Sequence, residues 1–207
     1  MHVQVPTNVV RNDEIYIDNG SFLLYARLCL LHFRNYNDDE IKVDHKKLMN
    51  NLNISDTRTF KKRLNVLYKE GLILNNPSSM PRKGEMVILF NSKIIKESPH
   101  FTKMDVSIFD YIDKINEHSF RLVFYYKSHI NKDSDKHLNY CYVGFETLKV
   151  KLKMGGATIN EANKVLVKNK LIKITKHKLE DTGTYDKNDE LIFDRYNNHY
   201  TVNDDLF

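Results

Sequence analysis

Arg58, Lys62, Asn65 and Lys69 recur in TRTFKKRLNVLYK at the three- and four-residue intervals that put side chains on one face of an α-helix. Phe60, Leu64, Leu67 and Gly71 recur on the opposite face. The chemistry of the polar face is hydrogen bonding to base edges. Arginine pairs with guanine O6 and N7, asparagine with adenine N6 and N7, and lysine contributes to either. Lys61 flanks the stripe, and Thr57 and Thr59 stand at the helix start, where hydroxyls reach phosphate oxygens. Arg82 and Lys83 lie in the loop PSSMPRKGE, at the predicted tip of a β-hairpin, where they would meet a nucleic-acid backbone. Arg63 falls on the edge of the apolar side and reads as structural.

A weaker version of the pattern follows about a hundred residues later. Asn160, Lys164 and Lys168, with Ala157 and Glu161, lie opposite Ile159, Ala162 and Leu166. Glu161 would accept from cytosine N4 or repel phosphate. Lys173, Lys176 and Lys178 populate the stretch after that helix, so this copy is expected to read DNA or to mediate dimerisation.

Other chemistries find less support. Tyr125 and Tyr126 could suggest a nicking tyrosine, but they sit in an apolar helical run and no His-hydrophobe-His metal motif accompanies them. His129, Asp133, Asp135 and His137 form a polar loop without the glycine and terminal glutamate of a calcium site. KMGGAT is a turn between helices; no Gly-Lys-Ser/Thr follows it to cradle phosphates. Cys29 and Cys141 lie in apolar runs with no CxxC spacing, which suits reduced core positions. The expectation is a protein that is not an enzyme and holds no metal or cofactor.

The elements that must position the stripes are repeated. SFLLYARLCLLHFRN from Ser21 and SFRLVFYYKSHINK from Ser119 both read as helices opened by Ser-Phe, with serine as the expected N-cap. A polar loop and a short β-prone stretch follow each (IKV; YCYV). Then come a short helix (DHKKLMNNL; GFETLKVKL), a turn (NISD; KMGG) and a longer helix ending at Leu72-Ile73 or Leu171-Ile172. The offset between copies is 98 at Ser21/Ser119, 100 at Leu48/Leu148 and 99 at Ile73/Ile172. A hairpin is predicted after each long helix: LILNN returning through MVILF, and KITKHKL returning through HYTVN, with LIFDRY lengthening the return. Between the copies, Met104, Ile108, Phe109, Ile112 and Ile115 are spaced as in a helix and predict a linking helix that packs the units together.

Charge is concentrated where the stripes are. Lys42 to Lys96 carries a net +8 and Gly144 to Lys178 a net +7, whereas Leu179 to Phe207 carries −6, within a whole-chain charge of +5. Paired basic blocks in an otherwise neutral or acidic chain are the footprint of phosphate binding. The 207 residues suffice for two small domains with packed cores. MHVQVPTNVVRNDE lacks the apolar core of a secretory signal, and SFLLYARLCLLHF is too short to span a bilayer and contains Arg27. A cytoplasmic protein with no membrane partner is expected.

The order helix, strand, helix, turn, helix, hairpin resembles a winged helix-turn-helix, twice over. IKVDHKKLMNNLNISDTRTFKKRLNVLYKEGLI looks like the N-terminal winged helix of replication and regulatory proteins from plasmids and phages of AT-rich bacteria, a source that the Lys/Asn/Ile/Tyr-heavy composition fits. Tandem winged helices resemble plasmid replication initiators, in which both units contact origin repeats and one mediates dimerisation. Another tandem winged-helix class, the chromosome-segregation adaptors, uses the fold for protein contacts; those are acidic and lack basic recognition helices, so this basic sequence argues against them. The expected fold is therefore α+β: two tandem winged helix-turn-helix domains related by internal duplication and joined by a linking helix. The boundaries are 1–95 and 119–207, with 96–118 linking them. The expected function is sequence-specific binding of double-stranded DNA, as a monomer or homodimer. A transcriptional regulator of a mobile element is placed ahead of a replication initiator, and both ahead of a protein-interaction adaptor without DNA binding.

Overall fold

Val3 and Val5 are fully buried on the first strand, β1 (His2–Pro6), which leads through one turn of helix, α1 (Thr7–Arg11), to the long helix α2 (Asn19–Arg34). Then follow β2 (Glu40–Val43), α3 (His45–Asn51), α4 (Thr57–Lys69), β3 (Met86–Leu89), α5 (Ser92–Glu97) and β4 (Phe101–Asp105). After a 3-10 turn at Val106–Tyr111 come α6 (Glu117–Ser128), α7 (Phe145–Leu152), α8 (Gly156–Lys168) and β5 (Ile172–Thr175). β6 (Glu180–Tyr185), β7 (Leu191–Asp194) and β8 (His199–Val202) complete the order. The computed structural model describes residues 1–77, 80–130, 139–177, 180–185, 187, 191–194 and 197–207. It is a mixed α+β structure with small antiparallel sheets, and no described helix is long and apolar enough to cross a membrane.

α2 and α6 form the centre. Both are apolar around most of their circumference, and such helices must be covered on every side. Phe22, Leu24, Tyr25, Leu28 and Leu30 of α2 are fully buried, as are Phe120, Leu122, Val123 and Phe124 of α6. Ser21 and Ser119 do not cap these helices. Asp18 and Asn116, three residues upstream, accept the Ser21 and Ser119 backbone N–H groups at 2.9 Å, and a carboxylate or amide serves there as well as a hydroxyl. The phenylalanines of the repeated Ser-Phe pairs instead join the helices. The Phe22 and Phe120 rings meet at 6.2 Å, and Phe124 packs edge-on against Phe22 at 5.4 Å.

Around each central helix the chain takes the same path. In the first half Ile41 pairs with Ile88, and Ile73 bridges Phe90; in the second Cys141 bridges Tyr200, and Ile172 pairs with Val202. In both, the last strand lies between the strand after the first helix and the strand after the third. The expected strands at YCYV and LILNN are reduced to single bridges, at Cys141 and Ile73. The turns before the third helices also match: Asn53 and Lys153 are left-handed (φ 51° and 48°), and the next residues, Ile54 and Met154, are buried. The ends of those helices match bond for bond. Leu72 N–H donates to Leu67 O and Leu171 N–H to Leu166 O, around left-handed Gly71 (φ 69°) and Lys170 (φ 57°). Asn91 and Asn203 then donate through Nδ2 to the Gly71 and Lys170 carbonyls, at 2.7 and 3.0 Å.

Lysine has a Cβ that crowds the left-handed conformation, whereas glycine does not. Lys170→Gly is therefore expected to stabilise the protein by about 0.5–1 kcal/mol, after allowing for the greater freedom of glycine in the unfolded chain. Urea denaturation of the variant beside the parent checks this, and an unchanged or lower midpoint would refute it.

One correction and one addition concern what lies between the halves. The spacing of Met104, Ile108, Phe109, Ile112 and Ile115 does not make a continuous linking helix. Phe101–Asp105 is the strand β4, paired along its length with β1, and Val106–Tyr111 is a 3-10 turn. Met104 is buried by strand alternation beside Thr102, and Pro99 disfavours helix at the residue before it. The N-terminal segment, in turn, is wedged against the second half. Buried Arg121 of α6 donates to Val9 O and Asn12 Oδ1, both at 2.7 Å, while Asn12 Nδ2 donates to Lys151 O of α7 at 2.9 Å. The Arg121 guanidinium lies 4.0 Å from the Phe22 ring centre, and burial lowers its pKa to about 9.

Candidate nucleic-acid interface

α4 begins where Asp56 accepts the Thr59 backbone N–H at 2.7 Å. From that cap, Phe60, Leu64 and Leu67 turn inward and are fully buried, which fixes the rotation of the helix about its axis. Thr57, Arg58, Lys61, Lys62 and Lys69 are consequently exposed. The Thr59 hydroxyl bonds the Asp56 carboxylate, whose pKa this lowers, so Thr59 serves the cap before any phosphate.

Asn65, between Lys62 and Lys69 in the stripe, is half-buried, and its Oδ1 accepts from Asn76 Nδ2 at 3.0 Å. An amide oxygen has two lone pairs, so Asn65 keeps one acceptor position and both N–H donors while its plane is held. Nothing in the sequence signalled Asn76. It reaches Asn65 only because the stretch after α4 folds back beside the helix. There Asn75 acts as a further piece of strand: its side chain donates to Val87 O at 2.9 Å and accepts from Leu89 N–H at 2.8 Å. In the loop before β3, Arg82 and Lys83 are exposed beside Gly84, whose φ of 88° turns the chain. Ser78 and Ser79 of that loop lie outside the described residues.

Arg63 takes another course. Its side chain is only 14% exposed and pairs with Glu117, the first residue of α6.

In the second half, Asn160, Lys164, Lys168 and Lys176 are exposed and line one open groove of about 660 Å³ together with Phe145, Val167, Ile174 and Tyr200. Lys164 pairs with Glu161 at 3.6 Å on the surface, which lowers the net charge of this face. The cap of α8 is Gly155, without a side-chain bond, where α4 has Asp56. The β6–β7 hairpin carries Glu180, Asp181 and Asp194 in its sequence, where the first half has Arg82 and Lys83 in the corresponding loop. The two halves thus share a path but differ in charge.

The other candidate groups among the described residues are packed against the protein. Tyr125 and Tyr126 are core residues; burial raises the Tyr125 phenol to about 12 and lifts Tyr126, which donates to Asn163 Oδ1 at 2.9 Å, well above its ordinary value. Such phenols are poor nucleophiles at neutral pH. Cys29 and Cys141 are free and buried, and burial raises Cys141 to about 11. His129 Nδ1 lies 3.0 Å from Tyr125 O, while Asp133, Asp135 and His137 lie outside the described residues, as does Lys178. No family model, curated protein or solved structure matches the chain.

Proposed function

We propose that this protein binds double-stranded DNA sequence-specifically through two winged helix-turn-helix units in tandem. One observation carries the reading: Arg58, Lys62, Asn65 and Lys69 form an outward stripe on a helix whose opposite side is locked into the core by Phe60, Leu64 and Leu67. A short helix, α3, and a tight turn precede it, and a basic loop follows it, which is the arrangement that lays a recognition helix in a major groove. The matching strand registers and helix ends of the two halves support internal duplication. The charges favour the first unit as the stronger reader, with the second as a weaker reader or a homodimer contact.

Within this class we place a transcriptional regulator of a mobile element first, acting in the cytoplasm. The tandem units keep a replication initiator as the second reading. The direct test is immunoprecipitation of the protein with fragmented source DNA. A peak at its own promoter favours regulation, a peak over iterated repeats favours initiation, and no enrichment would leave a protein-interaction adaptor as the better assignment.

Lys83→Ala addresses the basic loop. It is expected to weaken binding evenly across sequences and to shallow the slope of log affinity against log salt by about 0.9, the contribution of one phosphate on B-DNA. Titrations at several salt concentrations check this; an unchanged slope would take the loop off the DNA.

A further inference from the structure

Arg63 occupies a position that neither packing of α4 nor groove reading explains. It leaves α4, passes over Gly20 at the start of α2 and pairs with Glu117 at the start of α6. The passage is tight: a Cβ on Gly20 would lie 2.7 Å from Cζ, Nε and Nη2 of Arg63. Beside it, Asn19 Nδ2 and His118 Nδ1 meet at 3.0 Å, so the first turns of the two central helices touch at this point. The contact has no counterpart in the second half. There Ala162 stands at the position equivalent to Arg63, and Ser119 Oγ donates directly to its carbonyl at 3.3 Å. Arg63 thus fastens the first reading helix to the other half, through a gap that a Cβ at position 20 would close.

We infer that Arg63 is a positioning residue that sets the spacing and relative orientation of the two DNA elements read by the two units. The inference rests on the DNA-binding reading and deepens it. Two linked readers gain from each other only when geometry lets both engage at once. The Phe22–Phe120 contact holds the central helices together, but α4 lies outside that contact. A strut from the middle of α4 to the first residue of α6 fixes the first reading surface relative to the second unit. Because the pair is partly buried, loss of either partner leaves the other charge poorly solvated, and the helix gains freedom to shift.

The experiment is selection from a pool of random-sequence duplexes with four proteins: the parent, Arg63→Met, Glu117→Gln, and the exchange Arg63→Glu with Glu117→Arg. Gly20→Ala is the fifth, since its methyl displaces the Arg63 side chain while keeping both charges. The parent is expected to enrich two elements at one spacing. Arg63→Met, Glu117→Gln and Gly20→Ala should enrich the same two elements over several spacings, and lose on the order of tenfold in affinity at the parental spacing. The exchange should restore the single spacing. If the variants keep the parental spacing and affinity, Arg63 does not position the units, although DNA binding stands. If the parent enriches only one short element, the inference falls and the second unit has another task. If the parent enriches nothing, the DNA-binding reading itself fails and takes the inference with it.

Discussion

Phe120→Ala is expected to lower stability by about 3–5 kcal/mol, the usual cost of emptying a fully enclosed phenylalanine site. Phe120 has no exposed surface, and its ring meets those of Phe22, Phe124 and Phe109 at 6.2, 5.1 and 5.4 Å. These neighbours belong to different elements: α2, α6 and the 3-10 turn of the connecting segment. A cavity there cannot be closed by one side chain changing rotamer, because each ring is held from another side. Against a typical total of about 5–15 kcal/mol, the loss is a large share of what keeps the two halves together. Chemical denaturation measures it, and a drop below about 0.5 kcal/mol, the range of ordinary surface changes, would show that the halves do not depend on this cluster.

Arg58→Ala is the corresponding test of the reading surface. On the DNA element enriched by the parent protein, it is expected to cost about 1–3 kcal/mol and to relax base preference at one position. Arg58 is exposed and lies in the first turn of α4, the part of a recognition helix that reaches base edges. Stability should barely change, because the side chain takes no part in the buried face. Binding isotherms on the enriched element and on duplexes altered one base pair at a time separate the two effects. An isotherm that matches the parent's on every duplex would remove Arg58 from the interface. An equal loss on every duplex would make it a phosphate contact instead.

The sequence alone determined the amphipathic geometry. The positions of Phe60, Leu64 and Leu67 settle which way α4 rolls, and that roll settles that Arg58, Lys62 and Lys69 face out. The same logic located α3, α7 and α8 and the strands around Ile41 and Ile88, because helical and strand periods are local properties of side-chain direction. The separation of basic blocks from an acidic tail was likewise readable, since charge adds along the chain regardless of fold.

Tertiary structure decided whatever depended on partners distant in sequence. The apolar spacing from Met104 to Ile115 fits a helix, yet β1 pairs with residues 101–105 and makes them a strand, a partnership across the whole first half of the chain. The serines at 21 and 119 resemble caps, but the helices start three residues earlier, where Asp18 and Asn116 accept the N–H groups of those same serines, and only the observed chain entry tells these options apart. Arg63 is a charged residue on a helix edge until Gly20 and Glu117 are brought beside it; Asn76 is a loop amide until the chain folds back to Asn65. Periodicity reports which face of an element is buried. It carries no information about what buries it, because that choice is made by long-range packing free energy shared among many residues.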